Sequence, residues 1–150
     1  MDIKLLREHG ICCFDSFQGY SDQIAFEFHA EEDVHYRADK FWLNTLFGNI
    51  VENAVEYRKP QKNSFFSVKI EVSKEAVQIY FKDNGIGVPS ELGNKVFDMF
   101  VIGTEESVGA GLGLYEAKVI VEEKMDGRIW FKNYGGEEPT EIEIILPLWG

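Results

Sequence analysis

A chain of 150 residues suits one domain built around one core. Hydrophobic residues make up 45% and aromatics 14%, so the chain can bury a sizeable core and is not disordered. The formal net charge of −11 argues against binding nucleic acid or an anionic membrane, since either needs a basic patch. Any anionic ligand must then be met by a metal ion, backbone N–H groups or a local cation.

Residues 1–23 form a lead-in without a signal-peptide core. Cys12 and Cys13 are adjacent, which suits neither a disulfide framework nor a C-x-x-C pair. A reduced, cytoplasmic protein is expected. No apolar run approaches the roughly 20 residues that a membrane-crossing helix needs.

The domain proper is expected over 24–150. IAFEFHA (24–30) alternates like a strand. A helix runs from the N-cap Asp39 to about Tyr57, with Pro60 just past its end. FFSVKIEVS (65–73) and AVQIYFKD (76–83) read as strands joined by a short Lys-Glu turn, hence an antiparallel hairpin. A Gly-, Pro- and Asn-rich loop (84–95) precedes the apolar VFDMF and a polar segment, GTEESVGAG. LGLYEAKVIVEEKM (112–125) is a second helix, and 127–133 and 140–148 are two more strands. Hairpin strands beside segregated helices predict an α+β two-layer sandwich: a mixed, mostly antiparallel sheet with its helices on one face.

The first helix carries Asn49 and Asn53, although asparagine is poor in a helix interior. At about 100° per residue, Leu43, Leu46, Phe47, Ile50, Ala54 and Tyr57 share an apolar face. The asparagines lie on its flank, at the seam between core and solvent, with Glu52 and Glu56 further round. Such a pair either faces solvent, serves a nearby loop, or lines a pocket wall. In a pocket, an asparagine carbonyl suits Mg²⁺, which takes few protein oxygens and fills its shell with water and phosphate.

Two glycine-rich motifs follow. DNGIG (83–87) ends a strand: Asp83 can accept from an exocyclic amine while Gly85 and Gly87 allow close backbone approach, or the segment is a plain Asn-Gly turn. GAGLGL (109–114) opens the second helix, where Gly109, Gly111 and Gly113 expose N–H groups suited to anions, or else serve as a hinge. It is neither a P-loop nor a dinucleotide fingerprint in its proper place.

The combination is specific. Asn-x-x-x-Asn on a helix, Asp-x-Gly-x-Gly after a hairpin strand, Phe-x-x-Phe and Gly-x-Gly-x-Gly at a helix start occur in that order. From about Ile24 to Leu148 the chain resembles the catalytic ATP-binding domain of bacterial sensor histidine kinases. That is the GHKL superfamily of gyrase, heat-shock chaperone and mismatch-repair ATPases. NIVENAVEY, DNGIGVP, VFDMF and GAGLGLYEAKVIVEE carry the likeness.

The resemblance implies the Bergerat ATP-binding fold and an ATP-dependent protein-histidine kinase domain using ATP and Mg²⁺. Asn53 would ligate the metal and Asn49 would help hold the phosphates. Asp83 would read the adenine amine, against a wall shaped by Gly85 and Gly87. Phe97 and Phe100 would pack at the base of a lid spanning 101–110. Gly109, Gly111, Leu112, Gly113 and Leu114 would support lid and phosphates. Hydrolytic relatives carry a glutamate four residues before the metal asparagine; here Asn49 stands there, so transfer rather than hydrolysis is implied.

The resemblance also implies partners: a phospho-acceptor histidine on a separate dimerisation hairpin and a downstream response regulator. The isolated domain would be a monomer without direct membrane contact. None of His9, His29 and His35 has an acceptor context. Glu56 stands where many family members have a cation, and Val101-Ile102 where many have an aromatic-arginine pair; Arg58, Lys59 and Lys95 are the nearby cations. These departures favour one alternative, a non-catalytic nucleotide-binding module; the chain's size and the superfamily fold leave a second, a stand-alone serine kinase of the anti-sigma type. The latter usually retains the glutamate.

Overall fold

The structure is a computed structural model that describes residues 25–30, 40–56, 59, 63–87, 93–97, 110–135 and 138–147. Its elements are β1 (Ala25–Ala30), α1 (Lys40–Glu56), β2 (Phe65–Val72), β3 (Ala76–Asp83), a 3₁₀ turn (Gly93–Phe97), α2 (Ala110–Val119), β4 (Arg128–Tyr134) and β5 (Thr140–Pro147). The strands expected from alternation all form, with ends within a residue of the expected ones. The five strands make one sheet in the order β1-β2-β3-β5-β4. β1 pairs with β2 in parallel, α1 lying between them in the chain, and the other three pairings are antiparallel. The α+β sandwich with a mixed, mostly antiparallel sheet is therefore what the chain builds.

Strand alternation sorts the side chains onto two faces. Phe66, Val68 and Ile70 of β2, Val77, Ile79 and Phe81 of β3, Ile129 and Phe131 of β4, and Ile142, Ile144 and Leu146 of β5 are all buried. The helices cover this face. Leu43, Leu46, Phe47, Ile50, Val51, Ala54 and Val55 of α1 join the same core, and the Phe47 ring meets Phe81 edge-on at 5.2 Å. Tyr57, expected on this apolar face, lies outside the described residues; Val51 and Val55 widen the face beyond the expected stripe.

Local chemistry fixes the connections. At the β2–β3 turn, Ser73 N–H donates to the Ala76 carbonyl at 2.9 Å, and Ser73 Oγ accepts from the N–H groups of Glu75 and Ala76. That serine-held turn is the short hairpin joint read from the sequence. The second helix begins two residues earlier than its expected start and ends differently. After Val119 the chain widens into a π turn, Ile120–Lys124. Gly127 N–H then donates back to the Val121 carbonyl at 2.7 Å.

This closure puts Asp126 at φ 55°, the left-handed region that glycine occupies without strain. Its carboxylate also sits just past a helix C-terminus, where negative charge is unfavourable. Asp126→Gly is expected to stabilise the domain by about 1 kcal/mol, as the relief of strain and charge outweighs the added freedom of the unfolded chain. Chemical denaturation at constant slope checks it; a variant less stable than wild type contradicts this reading of the helix end.

Candidate functional site

The helix-bearing face carries polar groups as well as the core. On α1, Glu52 is exposed, while Asn49 and Asn53 are only partly so. Among the described residues the buried atoms Nδ2 of Asn49 and Oδ1 of Asn53 have no hydrogen-bond partner, and neither has Oδ1 of Asn44 earlier on the same helix. Both side chains are half-buried, and no described loop residue satisfies these two atoms. An unsatisfied buried polar atom costs about 1–3 kcal/mol, so a donor and an acceptor left together on one flank mark a place for a ligand. An unpaired carbonyl oxygen suits a hard cation, and an unpaired amide N–H₂ suits a phosphate oxygen. Among the described residues no cluster of His, Cys, Asp or Glu could hold a metal ion. A metal here would lean on a neutral amide oxygen, which fits Mg²⁺ that keeps water and phosphate ligands.

Asp83 ends β3 on the same face. It pairs with Phe66 of β2 and Thr140 of β5, and Phe81, two residues back, touches Phe47 of α1. Its Oδ1 accepts from Gly85 N–H at 2.9 Å. Burial pushes its carboxyl up to about 6, and the Gly85 hydrogen bond only partly offsets that. Thr140 is also buried, and its Oγ1 has no partner among the described residues. Sequence reasoning missed this threonine. Its place opposite Asp83 depends on the β3–β5 register, which no local motif announces.

The loop after Asp83 has one strict backbone demand. Gly87 sits at φ +76°, and a Cβ there would collide with the Tyr134 carbonyl oxygen. Gly135, at φ +94°, packs against the Gly87 Cα from the other side, and its N–H donates to Asn133 Oδ1 at 2.9 Å. The second glycine of DNGIG thus locks the loop onto the β4–β5 turn.

Phe97 is buried in the 3₁₀ turn, its ring 5.1 Å from Phe131. Gly111, Leu112, Gly113 and Leu114 all lie in the first turns of α2, which packs beside α1. Leu114 is buried, and a Cβ on Gly113 would meet nothing within 4 Å among the described residues. Phe100, Gly109 and most of the expected lid lie outside the described residues. So do His9, His35 and Arg58. His29 is exposed on β1, 3.7 Å from Glu27, far from an acceptor context. The structure thus brings Asn49, Asn53, Asp83, Phe97 and the start of α2 to one side of the sheet. A groove of about 260 Å³ lies on the opposite face, lined by Ser67, Lys69, Tyr80, Lys82 and Lys132 among others. Alternation separates it from Asp83 by the thickness of the sheet.

Because the folded state raises the Asp83 carboxyl from 3.8 to about 6, folding favours its protonated form. Its contribution is full below the unfolded value and is lost as pH rises through about 6. Asp83→Asn is expected to stabilise the nucleotide-free domain at pH 7 by on the order of 2 kcal/mol and little at pH 4. Melting curves at the two pH values check this; an equal or lower melting temperature for the variant at pH 7 contradicts it.

Comparison with known proteins agrees with this geometry. The family model described as histidine kinase-, DNA gyrase B-, and HSP90-like ATPase matches residues 38–150. Sensor protein kinase WalK of Staphylococcus haemolyticus (strain JCSC1435) is 36% identical over 120 residues, 77% of this chain and 19% of that protein. WalK of Staphylococcus aureus is 38% identical over 109 residues, 70% of this chain and 26% of the relative. The chain therefore spans about a fifth to a quarter of the length of these relatives. The catalytic domain of histidine kinase ThkA superposes with a TM-score of 0.78 at 27% identity, covering 97% of this chain and 92% of that one. With three quarters of its length matched, this chain belongs to the histidine kinase-, DNA gyrase B- and HSP90-like ATPase family.

Proposed function

We propose that this chain is the catalytic domain of a sensor histidine kinase, binding Mg-ATP and donating its γ-phosphate to a histidine on a separate helical hairpin. The single observation that carries the reading is the orphaned pair on α1, Asn49 Nδ2 and Asn53 Oδ1, on the face where Asp83 ends β3. Asn53 offers its carbonyl oxygen to Mg²⁺, and Asn49 offers N–H to a phosphate oxygen. Asp83, ionised, accepts from the adenine amine, with Thr140 beside it as a further polar contact to the base. Gly85 and Gly87 bring the backbone close. The first turn of α2, with Gly111 and Gly113, turns unpaired N–H groups toward the phosphates. Phe97, packed against Phe131, would sit at the base of the lid.

Mg²⁺, when bound, neutralises phosphate charge that a chain of net charge −11 would otherwise repel. Asn49 is neutral and Glu52 faces solvent, so neither is set to activate water. The domain would shield the nucleotide and present it to another nucleophile. ThkA has been solved in complex with a response regulator protein, TrrA; a response regulator is proposed here too, downstream of the hairpin. Among the described residues no helix is long and apolar enough to cross a membrane; a cytoplasmic, monomeric domain is proposed separately from that observation.

Calorimetry with a non-hydrolysable ATP analogue should show affinity that depends on Mg²⁺. Asn53→Ala should weaken it at least about tenfold and remove that dependence, without lowering the melting temperature. Affinity indifferent to both magnesium and Asn53 would overturn the metal role. Mixed with ATP and an acceptor hairpin, the domain should yield acid-labile phosphohistidine; nucleotide binding with no transfer to any hairpin favours the non-catalytic module, and phosphoserine favours the serine kinase.

A further inference from the structure

The backbone ladder between β2 and β3 ends at the Phe66–Asp83 pair. One more rung follows, made by a side chain. Asn84 Oδ1 accepts from Phe65 N–H at 2.9 Å, and its Nδ2 donates to the Asn63 carbonyl at 2.8 Å. The amide thus imitates a peptide group across the mouth of β2. Phe65 in turn pairs with Ala25 of β1, whose N–H donates to the Ser64 carbonyl at 2.8 Å. The rung therefore rests on two strands.

A side chain in this place does something a backbone rung cannot. If residue 84 paired through its own backbone, β3 would run on and carry Gly85 away from Asp83. Because the side chain makes the rung, the backbone is free to turn at once. Gly85 N–H then comes back to Asp83 Oδ1 at 2.9 Å. We propose that Asn84 is a positioning residue for base recognition: its amide clamps the loop to β2 so that Asp83 is held by Gly85 and aimed at the nucleotide base. The proposal rests on the reading of Asp83 given above. Asp83 has Phe66 and Thr140 as its sheet neighbours, neither charged, and no charged group among the described residues shifts its titration. The Gly85 bond is the contact that favours its ionised form.

The test uses the 150-residue chain in three forms: wild type, Asn84→Ala and Asn84→Asp. Asn84→Asp keeps an acceptor for Phe65 N–H but turns a carboxylate oxygen on the Asn63 carbonyl. Two readouts are taken. One is the pH titration of the Gly85 amide resonance without nucleotide; the other is calorimetric affinity for a non-hydrolysable ATP analogue with magnesium. In wild type the Gly85 resonance should titrate near about 6. In Asn84→Ala the midpoint should rise, the amplitude should shrink, and affinity should fall about tenfold. Asn84→Asp adds a carboxylate that itself raises the Asp83 midpoint, so that variant is read by affinity alone; its affinity should lie between, and it stands in if the alanine variant does not fold. Variants that melt earlier but keep both the wild-type midpoint and the wild-type affinity make Asn84 a strand clamp only and overturn the proposal. A wild-type chain that binds no nucleotide overturns the function proposed above and this proposal with it. The Gly85 titration tells the two failures apart.

Discussion

The structure turns on one constraint: polar atoms cannot be buried without partners at no cost. Sheet and helix α1 together make an apolar layer from Leu43 to Leu146, and the core closes tightly around Phe47, Phe66 and Phe81. Yet among the described residues Asn49, Asn53 and Thr140, like Asn44 earlier on α1, each leave a buried atom unpaired, and Asp83 is buried enough to hold its proton up to about 6. These groups destabilise the empty fold. They make sense together if a ligand with a cation, phosphates and an amine-bearing ring supplies the missing partners. Stability given up in the free domain reappears as affinity, which is the usual relation between a preorganised site and its ligand.

The proposed site also accounts for how so acidic a chain could take a polyanion. The groups that would face the phosphates are neutral amides and helix N–H dipoles, and the carboxylates Glu27, Glu71, Glu141 and Glu143 fall on the opposite sheet face or its edge. The division follows from the period of two along each strand, not from net charge. Glu52 shows the same logic on α1: it is adjacent to Asn53 in the chain but is turned out to solvent by the helical period.

Much of this was legible in the sequence, and the reasons are local. Alternation in FFSVKIEV and AVQIYFKD is strong because one face meets solvent, so both strands and their hairpin could be read directly. The asparagine pair stood out because asparagine goes against helix propensity, and DNGIG because it follows a strand without a gap. What could not be read is what needs register or long-range contact. Thr140 meets Asp83 only through the β3–β5 pairing, and Gly135 meets Gly87 only because two loops cross. Val51 and Val55 are not in the expected stripe but are buried, because the sheet and α2 wrap α1 on more than one side. The π turn at Ile120–Lys124 has no signature in EAKVIVEEK.

The most direct test of the central claim replaces magnesium with paramagnetic Mn²⁺ in a complex with a non-hydrolysable ATP analogue and follows side-chain amide resonances. The account predicts that the Asn49 and Asn53 amide signals broaden first, while Gln78 on the opposite sheet face is spared. Broadening centred on the groove around Lys69, Tyr80 and Lys132, with Asn49 and Asn53 unaffected, would contradict it.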